Sequence, residues 1–227
     1  MLRDLLNIIF PAICIHCGKP LVGNEKHLCT FCLSEIPWTH QAPQPNNTAE
    51  MRLMGRIPIQ AAAALMTFKK GNVTQSIIHE IKYHGNTHLA YQFGRLLGNE
   101  LLNSGRFDHI DYIVPVPLHW WRKLRRGYNQ SQLICEAMAE TMAKPVISRN
   151  LYRQKYTTSQ TRKSRVDRLD NMSGVFAVRK PQQFENKHIL LVDDILTTGA
   201  TTEGCYRALA NIHGLQISVA TLAITSH

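Results

Sequence analysis

The sequence of 227 residues lacks any long hydrophobic run. A membrane-spanning helix needs roughly 20 consecutive apolar residues, and no stretch approaches that length. The first 13 residues are apolar, but this stretch is short and contains Asp4 and Pro11. It also has no small-residue cleavage site, so we expect no signal peptide. These absences predict a protein with no membrane span and a cytoplasmic location.

Two glycine-rich nucleotide motifs are also missing. No G-x-x-x-x-G-K-[ST] run occurs, which disfavours a P-loop ATPase, and no G-x-G-x-x-G occurs, which disfavours a dinucleotide-binding fold. Acidic residues are scarce, with 16 against 26 Lys and Arg and a formal charge of +10. This excess favours polyanionic partners such as nucleic acid, nucleotides or pyrophosphate, although a soluble protein can also simply be basic.

The most informative stretch that is present runs Ile-Leu-Leu-Val-Asp-Asp-Ile-Leu-Thr-Thr-Gly-Ala-Thr, residues 189–201. Its four apolar residues predict a buried parallel strand ending in two carboxylates, Asp193 and Asp194. A Thr/Gly loop and a helical pattern follow, so backbone N–H groups and a helix N-terminus can bind an anion there. The acid pair suits ribose hydroxyls or a magnesium shell. The stretch therefore predicts a sugar-phosphate site; the alternative is a solvated acid pair beside an ordinary turn.

These residues resemble, without a break, the phosphoribosyl-pyrophosphate (PRPP) motif of type I phosphoribosyltransferases. The resemblance implies that Asp193 and Asp194 hold the ribose 2′- and 3′-hydroxyls and that the loop holds the 5′-phosphate. It also implies transfer of a ribose 5-phosphate group, with magnesium bound together with PRPP. The residues that it assigns to phosphate binding are Thr197, Thr198, Gly199, Ala200 and Thr201.

A second predicted strand, over 110–116, also ends in a loop that precedes a helix. The loop is rich in basic residues, and guanidinium groups bind phosphate oxygens in pairs. Loops at the carboxyl ends of neighbouring strands face the same crevice, so we interpret this loop as a pyrophosphate loop. The pyrophosphate loop of type I phosphoribosyltransferases occupies the corresponding place. A solvated or nucleic-acid-binding loop is the alternative. The residues assigned to phosphate here are Arg122, Arg125, Arg126 and Gly127.

The basic, weakly apolar stretch 150–171 predicts a loop or a short hairpin. The resemblance places a flexible active-site loop here, which would close over the substrate, and it assigns Gln160 to PRPP binding. A run of charges is equally compatible with a solvated surface.

Four of the six cysteines form two C-x-x-C pairs, Cys14 with Cys17 and Cys29 with Cys32. Each pair can place two thiolates on one cation, and two pairs complete a tetrahedral zinc site with no open position, so we predict a structural zinc. Gly18 suits the positive φ that such a knuckle needs. Two disulfides or a redox-active C-x-x-C pair are the alternatives. The expected cytoplasmic location disfavours disulfides, and the doubled motif disfavours a redox pair, which needs only one C-x-x-C.

The order of patterns predicts three parts: a zinc-ribbon module over 1–40, a linker over 41–58 and a phosphoribosyltransferase-like domain over 59–227. In the last part, predicted strands alternate with helices, which implies an α/β fold with a parallel sheet flanked by helices. The strands are predicted over 60–68, 110–116, 175–178, 188–192 and 217–224, and the helices over 73–84, 89–102, 131–142 and 200–212.

Nearly the whole chain resembles the ComF/GntX family of competence-associated proteins. The resemblance rests on the double C-x-x-C, Ile81-Lys82-Tyr83, Val114-Pro-Val-Pro-Leu118, Arg126-Gly-Tyr-Asn-Gln130 and the Val192-Asp-Asp block. It implies a role in natural transformation, in which the protein handles single-stranded DNA and works with the DNA-translocation machinery. The Trp120–Trp121 pair suits stacking on bases, although such pairs also pack in cores. Lys82 and Tyr83 either line the crevice or are exposed at a helix end.

The competing interpretation is an active phosphoribosyltransferase of nucleotide metabolism that is unrelated to DNA uptake. Amidophosphoribosyltransferase carries similar V-P-V-P and V-D-D runs. That enzyme needs an N-terminal cysteine nucleophile and a glutaminase domain, whereas this chain begins Met-Leu-Arg, so we disfavour it.

Overall fold

The computed structural model describes residues 11–118, 124, 127–154 and 175–226. Its helices are α1 (Thr30–Ser34), α2 (Thr48–Leu53), α3 (Val73–Tyr83), α4 (Thr87–Asn103), α5 (Gln130–Met142) and α6 (Ala200–Leu209), with a 3-10 helix over Pro181–Phe184. Its strands are β1 (Ala62–Phe68), β2 (Tyr112–Pro115), β3 (Leu151–Arg153), β4 (Phe176–Val178), β5 (His188–Leu196) and β6 (Gln216–Thr225).

Four of these strands form a parallel sheet in the order β1–β6–β5–β2, and β3 pairs with β4 as an antiparallel hairpin. The predicted α/β fold with a parallel sheet and flanking helices is confirmed. Within the described ranges, no helix combines the length and the apolarity needed to cross a bilayer.

Side chains of the central strands alternate between two cores, one on each face of the sheet. Leu190 and Val192 of β5 pack with α3, α4 and α5, whereas Ile189 and Leu191 pack with α2 and α6. A strand buried on both faces needs apolar residues at successive positions, which explains the continuous apolar run before the acid pair.

The strand that carries the acid pair is longer than the sequence indicates. The apolar run predicts a strand over 188–192, whereas β5 continues to Leu196 because β6 pairs with it through Ile195 and Leu196. The two aspartates therefore lie inside the last part of the strand, not after it.

Part of the stretch predicted as a linker, 41–58, is the helix α2. Its N-cap is Asn47, whose side-chain oxygen accepts hydrogen bonds from the N–H groups of Ala49 and Glu50 at 3.0 and 3.1 Å. Ala49 and Leu53 are buried in the core below the sheet. Only these two residues of α2 are fully buried, so the stretch has no apolar pattern long enough to predict a helix.

The cysteine-rich segment packs against the sheet domain and shares its core. Trp38 forms a β-bridge with Met66 of β1, and its ring stacks on that of Phe93 in α4 with centroids 6.2 Å apart. Cys32 and Ile36 are buried in the same cluster as α4 and α5. The predicted boundaries at 40 and 58 stay a prediction.

Two glycines allow α4 to approach α5 closely. A Cβ atom on Gly94 would lie 2.8 Å from Cβ of Ala137, and one on Gly98 would lie 3.1 Å from Cβ of Thr141. The contact fixes α5, whose first turn carries a side chain that reaches the acid pair.

Candidate functional site

Asp193 and Asp194 lie at the carboxyl edge of the sheet, where ligands of open α/β folds bind. Both line a cavity of about 200 Å³. Asp193 Oδ1 accepts hydrogen bonds from the Asp194 N–H at 2.8 Å and from the Ser131 hydroxyl at 3.1 Å. Asp194 Oδ1 lies 2.7 Å from Nζ of Lys82. Side chains from α3 and α5 and a backbone N–H of β5 thus hold the two carboxylates in place.

The environment of Asp193 favours its neutral form. Burial raises its pKa to about 7, and the neighbouring Asp194 carboxylate adds to the effect. The Asp194 N–H, the Lys82 ammonium and the Ser131 hydroxyl act in the opposite direction without cancelling it. A carboxyl group that titrates near neutral pH beside a cavity is typical of functional sites.

Lys82 reaches the cavity from the last turn of α3. The Tyr128 hydroxyl donates a hydrogen bond to the carbonyl oxygen of Ile81, which ties the end of α3 to the loop before α5. Of the two crevice candidates in the Ile-Lys-Tyr motif, Lys82 lines the cavity, whereas Tyr83 is 53% exposed.

Two arginines hold the backbone of the loop that follows β5. Arg52 Nη1 donates to the Thr197 carbonyl at 2.7 Å, and Arg56 Nη1 donates to the Thr198 carbonyl at 2.6 Å. In a trans peptide group the N–H points away from the carbonyl. The N–H groups of Thr198 and Gly199 therefore point away from the two arginines.

Gly199 makes the turn from this loop into α6. Its φ is +82°, a conformation that L-residues rarely adopt, and a Cβ atom would lie 3.0 Å from Cδ2 of Leu53. Gly199 is also the N-cap of the ten-residue helix α6. The positive end of the helix dipole therefore opens at the loop.

The structure brings four of the predicted site residues to one cavity: Asp193, Asp194, Thr197 and Thr201. Thr198 instead lines a separate cavity of about 760 Å³, on the side of the loop where Arg52 and Arg56 lie. Gly199 is buried in the turn and Ala200 is the first residue of α6.

The other predicted phosphate-binding residues lie in or beside stretches that the structure does not describe. Gly127 precedes α5 and has a φ of +79°, so it provides a turn. Arg122, Arg125, Arg126 and Gln160 lie outside the described residues.

Sequence reasoning misses several residues at this site. Ser131 directly follows the Arg-Gly-Tyr-Asn-Gln motif, and that adjacency is the signal that could have found it. Arg153 of β3 lines the cavity, with its guanidinium carbon 5.4 Å from the centroid of the Phe176 ring. Its position depends on the pairing of β3 with β4, for which the sequence has no local signal. Arg52 and Arg56 lie in the stretch interpreted as a linker.

The four N-terminal cysteines form a second site. Their Sγ atoms all lie within 4.8 Å of one another, and those of Cys17 and Cys29 are 3.7 Å apart. Zn–S bonds of about 2.3 Å in a tetrahedron place sulfurs about 3.8 Å apart, so the four cysteines can bind a zinc ion. Gly18 has the expected positive φ, +71°, and its N–H donates to the Cys14 carbonyl at 3.0 Å.

The electrostatics of the cluster favour a thiolate at Cys14. Burial opposes ionisation, but hydrogen bonds from the N–H groups of Cys17, Cys29 and His16 outweigh it and lower the Cys14 pKa to about 6. Burial and hydrogen bonds among the neighbouring thiols raise the pKa of Cys32. Because thiolates are the form that binds metal, Cys14 is ready to act as a ligand.

The family model described as "Phosphoribosyl transferase domain" matches residues 127–226. DNA utilization protein YhgH of Escherichia coli (strain K12) is 34% identical over 193 residues, which cover 83% of this chain and 74% of that protein. Competence protein F of Haemophilus influenzae is 27% identical over 215 residues, which cover 92% of this chain and 83% of that protein.

Among solved structures, glutamine PRPP amidotransferase of B. subtilis in complex with ADP and GMP aligns with a TM-score of 0.46 and 16% identity. The alignment covers 64% of this chain and 30% of that enzyme, and a likeness this weak supports no functional argument. The similarity to YhgH, in contrast, is above 30% identity and extends over more than two thirds of both chains. The chain therefore belongs to the ComF/GntX family, as its motifs predict, and carries a phosphoribosyltransferase-type domain.

Proposed function

We propose that this protein binds PRPP in the cavity at Asp193 and Asp194 and acts in the handling of single-stranded DNA during DNA uptake. One observation carries the ligand assignment: two adjacent carboxylates, a cation, a loop threonine and a threonine in the first turn of α6 surround one cavity at the carboxyl edge of β5. The names of the relatives, DNA utilization protein and competence protein F, support the role in DNA uptake.

The geometry supports one orientation of the ligand. The acid pair would accept hydrogen bonds from the ribose 2′- and 3′-hydroxyls. The loop and the first turn of α6 would bind the 5′-phosphate through N–H groups and the Thr197 and Thr201 hydroxyls. Small-ligand pockets usually measure about 300–1,000 Å³. The 200 Å³ cavity thus takes the sugar, and the pyrophosphate would extend past Leu118, which lines the cavity before the predicted pyrophosphate loop.

The reaction that this arrangement supports is transfer of the ribose 5-phosphate group. The bond from C1 to pyrophosphate breaks, and a nitrogen nucleophile forms a new bond at C1. Asp193 and Asp194 orient the sugar, and most of the rate enhancement would come from positioning and charge stabilisation. The carboxylate oxygens fit magnesium, which when bound would neutralise charge on the departing pyrophosphate.

The cysteine cluster has a structural role in this proposal. All four ligand positions of a tetrahedral zinc would be thiolates, which leaves no open position for a substrate. Zinc would stabilise the segment that packs Trp38 and Ile36 onto the sheet domain.

A phosphoribosyltransferase of nucleotide metabolism is the second candidate. The match to the phosphoribosyl transferase domain supports it equally, because that match covers the acid pair and the loop but implies nothing about DNA. Binding of single-stranded DNA separates the two candidates.

Thermal unfolding with magnesium and PRPP tests the ligand. Because a ligand of the folded state stabilises it, PRPP should raise the melting temperature of the protein. The double variant Asp193→Asn with Asp194→Asn should lose this increase, whereas Asp108→Asn, an exposed aspartate after α4, should keep it. An undiminished increase in the double variant would contradict the assignment of the cavity.

Titration of a single-stranded oligonucleotide at several salt concentrations tests the DNA role. Contacts to phosphates should make the affinity fall steeply with salt, because bound cations are released from the DNA. Absence of binding at low salt would favour the second candidate.

A further inference from the structure

Lys82 and Asp194 form an ion pair inside the cavity that the proposed function assigns to the ribose. Nζ lies 2.7 Å from Oδ1, and the two side chains are only 18% and 11% exposed. Charges shielded from water interact more strongly than charges on the surface. The pair is therefore a substantial part of the electrostatics of the site.

The position of Lys82 matters because neighbouring carboxylates at a cavity wall attract divalent cations. A metal ion that binds Asp194 Oδ1 must displace the ammonium group or remain beside a like charge. Asp193 Oδ1 already accepts two hydrogen bonds, so a metal ion that binds both acids would have to use Asp193 Oδ2. The ion pair thus disfavours a metal ion that arrives alone.

We propose, building on the proposed function, that Lys82 is the resident cation of this cavity. Its ammonium group stays paired with Asp194 until a pyrophosphate-bearing sugar binds. A divalent metal ion therefore enters together with that ligand and not ahead of it. The pyrophosphate brings negative charge that offsets the metal and attracts the ammonium. An ammonium group has three donors, so Lys82 can turn toward a pyrophosphate oxygen while it stays in the cavity.

The surrounding structure allows this movement in the side chain alone. The hydrogen bond from the Tyr128 hydroxyl to the Ile81 carbonyl holds the backbone beside Lys82 in place. Lys82 is thus a positioning residue, which sets the order in which metal and ligand bind.

Calorimetric titration of the zinc-loaded protein with Mn²⁺ alone, without PRPP, tests the proposal. Lys82→Met removes the charge and keeps a long side chain, so its affinity for Mn²⁺ should be at least about tenfold higher than that of the unsubstituted protein. Lys82→Arg keeps the charge and should keep the weak binding. If the Met variant does not fold, Lys82→Gln, which also removes the charge and keeps a hydrogen-bond donor, serves the same test.

Lys187→Met is the matched control. Lys187 Nζ lies 3.3 Å from Asp111 Oδ1, in an ion pair at the opposite end of β5. Loss of this charge should leave Mn²⁺ affinity unchanged. Adding Asp194→Asn to Lys82→Met should abolish the gained binding.

Equal Mn²⁺ affinity in the unsubstituted protein and in Lys82→Met would overturn the proposal, as would gained binding that survives Asp194→Asn. These outcomes are independent of whether PRPP binds. Failure of PRPP to raise the melting temperature would refute the proposed function, and a gain of Mn²⁺ binding in Lys82→Met would still support Lys82 as the resident cation.

Discussion

The guanidinium group of Arg52 donates to the carbonyl oxygen of Thr197 at 2.7 Å. The same group donates to the hydroxyl and the carbonyl oxygen of Thr225 at the end of β6, each at 2.8 Å. One side chain from α2 therefore ties the loop after β5 to the neighbouring strand. Because the carbonyls of the loop are held, its N–H directions are set before a ligand binds, which reduces the ordering cost of binding.

Arg52→Lys should weaken binding of ligands that carry a 5′-phosphate. A lysine keeps the charge but cannot reproduce the planar fork that reaches three acceptors. We expect roughly tenfold weaker binding of ribose 5-phosphate and a loss of about 1–3 kcal/mol in the free energy of unfolding. Pyrophosphate affinity should not change, because in the proposed orientation the loop binds the 5′-phosphate and not the pyrophosphate.

Calorimetry with the two ligands separates a positioning role of Arg52 from general destabilisation. Arg95→Lys is the control, since Arg95 pairs with Glu140 on the surface at 2.5 Å and exposed pairs contribute little. If Arg52→Lys weakened binding of both ligands equally, Arg52 would not act specifically on the phosphate loop.

Asp193 should make the ligand-free protein less stable as pH rises. Its pKa in the folded state, about 7, is above the ordinary value of 3.8. Between these values the folded protein holds a proton that the unfolded chain has released. The contribution of Asp193 to the free energy of unfolding is therefore fully present below pH 3.8 and is lost as pH rises through about 7. Asp193→Asn removes this decline.

Thermal unfolding at pH steps from about 5 to about 7 checks this prediction. The melting temperature of Asp193→Asn, relative to that of the unsubstituted protein, should increase with pH across this window. A difference that does not vary with pH would show that Asp193 ionises as an ordinary carboxyl group.

Cys14→Ser should release zinc and lower the melting temperature. Three thiolates and a hydroxyl bind zinc less tightly than four thiolates, and the cysteine segment shares its core with α4 and α5. Metal analysis should find one zinc per chain in the unsubstituted protein and less in the variant. Cys135→Ala is the control, because Cys135 is buried in α5 and lies outside the cluster. Equal zinc in all three proteins would exclude the four-cysteine site.

Features formed by one contiguous segment of this protein can be predicted from sequence, whereas features formed by side chains from separate elements cannot. The strand, the acid pair and the loop of residues 189–201 are contiguous, so their residue types alone indicate the chemistry. Lys82, Ser131 and Arg52 reach the same region from α3, α5 and α2. Their meeting depends on the strand order and on how the helices pack over each face, which no short segment encodes. The helix α2 is not predicted for a related reason: only two of its residues are buried, and its contact with the site is made by the polar side chain of Arg52.

Gly199→Ala should destabilise the protein and weaken 5′-phosphate binding together. An L-residue at a φ of +82° costs about 1 kcal/mol, and the added Cβ would press on Cδ2 of Leu53 at 3.0 Å. We expect a total loss of about 1–3 kcal/mol in the free energy of unfolding.

Gly105→Ala separates the two costs of the Gly199 substitution. Gly105 has a φ of +67°, and a Cβ atom there would meet nothing within 4 Å, so this control incurs backbone strain alone. Denaturant unfolding should therefore show a larger loss for Gly199→Ala than for Gly105→Ala, and only Gly199→Ala should weaken ribose 5-phosphate binding. Equal losses with unchanged binding would mean that Leu53 moves aside and that the turn at Gly199 does not set the phosphate-binding N–H groups.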